Sequence, residues 1–135
     1  MDELIGSWSV DALYAPGPSD EVVYFMESGK GWVEYLNWGL SAIETFKWWR
    51  NEEGNLNIQG EILYSIDEPP TKSDTHFLNL QLSLSNGLDT MNNEVVILNI
   101  ENGRLFFSQK YGKLDLAVDT IDFEKRLKLL EKKTD

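Results

Sequence analysis

Residues 29–50 read GKGWVEYLNWGLSAIETFKWWR, and this stretch decides the fold. It holds Trp32, Trp38, Trp48 and Trp49, four of the chain's five tryptophans, with Tyr35 and Phe46 among them. Aromatic and β-branched residues favour a pleated, half-buried backbone. Gly29 and Gly31 punctuate the start, Gly39 the middle, and Asn51-Glu52-Glu53-Gly54 follows the end. The stretch therefore reads as two strands, Trp32–Trp38 and Ala42–Arg50, joined by a turn at Gly39-Leu40-Ser41.

Upstream, Leu4–Tyr14 reads as a strand stopped by Ala15-Pro16-Gly17-Pro18, and Glu21–Glu27 as a second. Downstream, Leu56, Ile58, Gly60, Ile62, Tyr64 and Ile66 alternate with polar positions, Leu63 excepted. Such period-two patterning belongs to a strand with one wet face. His76, Leu78, Leu80, Leu82 and Leu84 repeat it in a single further strand, and Asn86–Asn93 reads as a polar loop. Asn102-Gly103 is a preferred pair for a two-residue type I′ turn. It predicts a hairpin of Glu94–Ile100 with Leu105–Lys110, Ile100 opposite Leu105 and Leu98 opposite Phe107. Val95, Ile97 and Phe106 then form an apolar patch on the opposite face.

Leu114–Val118 reads as the last strand. Beyond it Phe123, Leu127 and Leu130 recur at helical spacing, with Asp122 and Glu124 early and Lys132 and Lys133 late. Acid first and base last complements the helix dipole. A helix over about residues 120–133 is expected, N-capped by Asp119 or Thr120 and docked on the Val95/Ile97/Phe106 patch. Turn signals recur every 8–12 residues, as in antiparallel sandwiches and barrels. The expected fold is all-β: one domain, residues 1–135, forming an antiparallel up-and-down β-barrel of about 8–10 strands over about residues 4–119, with a C-terminal α-helix. Closure into a barrel hides strand edges.

A chain of 135 residues can bury roughly two-thirds of its surface without staples. It has no cysteine, which excludes disulfides and thiolate metal sites. The start, MDELIGSWSV, has neither a basic nor an apolar leader segment, so no secretory signal is expected and a cytoplasmic location is. No apolar run reaches the roughly 18 residues of a membrane helix. The formal charge is −11, with 20 acidic and 7 basic side chains over residues 1–123 and 3 against 5 over residues 124–135. An acidic body disfavours nucleic acid and attracts basic partners.

The first strand carries Gly6-Ser7-Trp8, and Tyr24-Phe25 runs into Ser28-Gly29-Lys30-Gly31 before the aromatic strands. This order resembles the small bacterial lipocalin-like barrels of the calycin type, over about residues 4–119. The resemblance implies an up-and-down barrel open at one end, and names no ligand. Lipocalins place an arginine against the first tryptophan; Arg104 and Arg126 are the candidates here. No Thr-Asp-Tyr-like motif is present, and the helix ends the chain.

Inward positions of a small barrel either fill it or line a cavity. Trp32, Glu34, Leu36 and Trp38 share one face of their strand; Glu44, Phe46 and Trp48 share one face of the next, with Ala42 and Arg50. An odd-numbered turn points both sets inward, giving an aromatic pocket with carboxylate anchors for a partly apolar, cationic ligand. A two-residue loop separates them, and the tryptophans are then plain core. The lone His76 cannot build a multi-histidine metal site or a triad. Asp67, Glu68 and Asp74 read as a solvated loop. No catalytic residue, metal ligand or cofactor is assigned. Two functions lead: a non-enzymatic small-molecule-binding barrel, taking an apolar or amphipathic ligand as a monomer or weak homodimer, and an acidic intracellular interaction module, such as an immunity-type protein neutralising a basic toxin; a barrel enzyme or a haem carrier using His76 ranks last.

Overall fold

The computed structural model describes residues 2–14, 17–114 and 120–132. Ten strands run β1 (Gly6–Ser9), β2 (Ser19–Phe25), β3 (Lys30–Asn37), β4 (Leu40–Arg50), β5 (Leu56–Ser65), β6 (Thr71–Lys72), β7 (His76–Leu80), β8 (Leu82–Leu88), β9 (Glu94–Ile100) and β10 (Lys110–Leu114), followed by α1 (Thr120–Lys132). All pair antiparallel in the order β6-β5-β4-β3-β2-β1-β10-β9-β8, with β7 also on β5. Among the described residues, hydrogen bonds do not close the sheet. The chain links its ends by passing through Gln81 from β7, on the edge of β5, to β8, on the edge of β9. The inner face buries Trp8, Phe25, Phe46, Trp48, Ile58 and Leu98.

Single residues break the expected regularity. His76–Leu84 is not one strand: Asn79 takes a φ of 59°, a left-handed conformation that asparagine tolerates. Its N–H is held by Asn57 and its C=O by the Asn102 amide. The face consequently switches, so that Phe77 packs on the core and Leu78 is exposed. Asn86–Asn93 is not all loop either, because β8 runs to Leu88 and the turn is set by Asp89, which accepts from the Met91 and Asn93 N–H groups.

The hairpin predicted at Asn102-Gly103 does not form. Asn102 instead accepts from the Gln81 N–H and donates to the Asn79 carbonyl. Leu98 consequently faces Tyr111, not Phe107. Leu105 and Ser108 close a tight turn of their own, and Phe106 within it is buried against Phe46 and Phe77. That removes the Val95/Ile97/Phe106 patch. α1 docks elsewhere: Phe123, Leu127 and Leu130 cover Val22, Tyr24, Trp32, Leu40 and Ile43 on the outer face of β2–β4. The last strand is Lys110–Leu114; residues 115–119, including the expected strand end and the Asp119 cap, lie outside the described residues, as does the Thr120 side chain.

Trp8 is fully buried, and its indole donates to the Leu4 carbonyl at 2.9 Å. The cation over its ring is Lys113, 4.6 Å from the centroid, and neither Arg104 nor Arg126. Burial holds the Lys113 ammonium below its ordinary pKa.

Candidate functional site

The turn between β3 and β4 places Leu36 opposite Leu40, so its three-residue loop has the odd length that would point both sets inward. Ser41 then enters β4 as an extra residue and cancels that parity. Beyond it Tyr35 faces Ala42, Glu34 faces Ile43 and Trp32 faces Thr45. A bulge of this kind inserts one residue on one strand and turns the following side chains over. The seven candidate residues therefore separate. Trp32, Glu34 and Leu36 lie on the outer face beneath α1, while Glu44, Phe46 and Trp48 lie within. Trp38 stands at the turn, 84% exposed with a φ of 56°.

A left-handed backbone costs an L-residue roughly 1–2 kcal/mol, and asparagine bears it better than a bulky ring. Trp38→Asn is expected to raise stability by about 0.5–1 kcal/mol in urea denaturation. An unchanged or lowered midpoint would show that the exposed ring stabilises the turn.

The outer glutamate is neutralised within the fold. Glu34 accepts from both Arg126 nitrogens that reach it, Nε at 2.9 Å to Oε2 and Nη2 at 2.7 Å to Oε1. The Trp32 indole adds a third donor at 3.1 Å. Trp32 lies between Tyr24, stacked at 4.2 Å, and Phe123 at 5.3 Å. The hydrogen bond to Glu34 raises the Arg126 pKa. This constellation fastens the helix and leaves no space for a ligand at Glu34, whose side chain is 1% exposed.

The inner glutamate is held differently. Glu44 is 6% exposed and sits in the wall of a cavity of about 690 Å³. It accepts from the Tyr35 hydroxyl at 2.9 Å, from Thr75 Oγ1 at 2.6 Å and from Ser73 Oγ. Gly60 makes this possible, since a Cβ there would collide with the Ser73 side chain. Burial, then the neighbouring Glu44, pushes the Tyr35 phenol pKa up, so Tyr35 stays a donor. The rings of Tyr35, Phe77, Phe106 and Phe107 complete the wall. They meet edge-on in pairs, Tyr35 with Phe107 at 5.6 Å and Phe77 with Phe106 at 5.5 Å. Lys72, Asp74 and His76 contribute its solvent-exposed margin.

Of the seven expected residues, Glu44 alone lines this cavity; Phe46 lies behind it, in ring contact with Phe106. Ser73 and Thr75 carry no site signal in the sequence, because they sit at the end of a loop of Asp, Glu and Pro. The signal available was Gly60, a glycine inside an otherwise regular strand, which marks a close approach. Phe106 and Phe107 carry no such signal, because Asn102-Gly103 predicts a turn that places them on strand positions.

A second buried acid supports the same wall. Glu21 is 7% exposed and opposite Tyr35 across β2 and β3. It is hydrogen-bonded to the Tyr111 hydroxyl, which also reaches the Leu105 carbonyl at the base of the Phe106–Phe107 turn. Burial raises its carboxyl to about 7, against the lowering contributions of Tyr111 and the Phe107 N–H.

Fold and site together define an antiparallel all-β domain, barrel-like, with an aromatic-walled cavity open to solvent and a buried glutamate in its wall. Comparison with protein-family models, with curated proteins and with solved structures returned no match.

Proposed function

We propose that this chain is a non-enzymatic, lipocalin-like barrel that binds a small, partly apolar molecule in the cavity beside Glu44. One observation carries the reading: about 690 Å³ of space walled by four aromatic rings and a few convergent polar groups. Small-molecule sites commonly occupy roughly 300–1,000 Å³ with that make-up. The antiparallel meander supports the lipocalin-like resemblance, although a lysine, Lys113, stands over Trp8 in place of the expected arginine.

Phe107 offers the direct test, because it lines the cavity yet is 72% exposed, so its loss leaves the core intact. Calorimetric titration with 1-naphthylmethanol is expected to show binding that Phe107→Ala weakens about five- to tenfold, the size of a lost ring contact. Absence of binding both of this alcohol and of its amine counterpart to the unmodified chain, or an affinity untouched by the substitution, would remove this reading.

A further inference from the structure

The two buried glutamates near the aromatic hairpin differ in one respect that bears on the ligand. Glu34 has a guanidinium from its own chain. Glu44 has three hydroxyls, from Tyr35, Ser73 and Thr75, and among the described residues it makes no ion pair. Hydroxyls satisfy a carboxylate's lone pairs but bring no opposite charge. Buried charges are ordinarily paired, and a low-dielectric wall strengthens attraction to whatever counter-charge arrives.

The geometry points to a ligand that supplies this missing cation: an ammonium group on an aromatic or branched apolar body. This rests on the reading of the cavity as a ligand site, and it adds the charge of the ligand. The lining holds two carboxylates, Glu44 and Asp74, against one ammonium, Lys72, so a cation is favoured and an anion opposed. Oε2 of Glu44 already accepts from Ser73 and Thr75, whereas Oε1 accepts from Tyr35 alone. A carboxylate oxygen takes two hydrogen bonds, which leaves Oε1 open to an N–H of a primary ammonium. The rings of Tyr35, Phe77, Phe106 and Phe107 line the remainder, and aromatic faces attract cations within about 6 Å of their centroids. The hydroxyl cluster has a use of its own. It keeps the carboxylate fixed and solvated when the cavity is empty, so no reorganisation is needed when a cation enters.

Three test ligands of one shape separate charge from size: 1-naphthylmethylamine, 1-naphthylmethanol and 1-naphthoate, titrated calorimetrically into the full chain at neutral pH. The amine is expected to bind at least tenfold tighter than the alcohol, and the carboxylate to give no measurable heat. Glu44→Gln is expected to abolish the amine's advantage and change the alcohol's affinity less than threefold. Equal affinity for amine and alcohol in the unmodified chain overturns the charge assignment and leaves the cavity reading standing. Failure of both to bind overturns the cavity reading itself. Should Glu44→Gln not fold, the three-ligand comparison on the unmodified chain decides alone.

Discussion

Replacing Arg126 with methionine is expected to lower stability by about 2–4 kcal/mol, the largest loss from any single helix substitution. Breaking a buried pair by removing one partner typically costs about 3–5 kcal/mol, because the other charge stays buried without compensation. Glu34, 1% exposed, is that charge, and the uncharged Trp32 indole and Tyr24 hydroxyl would be its remaining donors among those described. Arg126 itself is 34% exposed, and water screening of that side reduces the figure. The chain has a route to relief short of unfolding, which is to let α1 lift and admit water to Glu34. That uncovers Trp32, Phe123, Leu127 and Leu130 together. The variant is therefore expected to show red-shifted tryptophan emission and dye binding before the sheet melts. Glu34→Leu combined with Arg126→Met is expected to recover most of the loss, since a packed apolar pair can replace a buried ion pair. A single variant with an unmoved urea midpoint and unshifted emission would mean that the pair does not hold the helix.

The same pair marks how far the sequence can be read. Phe123, Leu127 and Leu130, with acid before and base after, locate α1 because helical period and dipole are local properties. Glu94–Ile100 is legible as β9 for the same kind of reason. The dock of α1 is not local: it depends on which face of β3 carries Trp32, and that depends on Ser41. One inserted residue reverses parity, and nothing in Gly39-Leu40-Ser41 distinguishes a turn residue from a bulge residue. Asn79 does the same to β7, exchanging Leu78 for Phe77 at the core. Asn102 shows the converse, a side chain suited to a local turn that is drawn into long-range hydrogen bonds with residues 79 and 81. The candidate site inherits these ambiguities. Glu44 is recognisable as a polar residue inside an aromatic strand, but its three hydroxyl partners come from β3 and from the segment after the Pro-rich loop. Their meeting is a product of the tertiary fold.

Glu21 is expected to make stability fall as pH rises through neutrality. Its carboxyl titrates near 7 in the folded chain, against 4.5 for an ordinary glutamate, chiefly because burial disfavours the charged form. Between those values the folded chain binds more proton than the unfolded one. The stabilising contribution is thus fully present below pH 4.5 and is lost as pH passes through about 7. Its size is about 3 kcal/mol, and at 7% exposure little of it is screened. Burial outweighs the lowering pull of the Tyr111 and Phe107 N–H hydrogen bonds. Tyr111 has one hydroxyl proton and two acceptors in reach, Glu21 and the Leu105 carbonyl. A protonated Glu21 donates to the Tyr111 oxygen and frees that proton for Leu105; an ionised Glu21 competes for it. Glu21→Gln keeps shape and hydrogen bonding without the charge. Urea denaturation of both proteins from pH 4.5 to 8.5 isolates the residue, because self-repulsion of the acidic surface is common to both. The two are expected to match at pH 4.5 and to diverge by about 2–3 kcal/mol above pH 7.5, with the glutamine variant the more stable. Since Tyr111 secures the base of the turn that carries Phe106 and Phe107, an upward curve for the unmodified protein, or parallel curves for the two, would mean that the ionised carboxylate is the form this turn was built around.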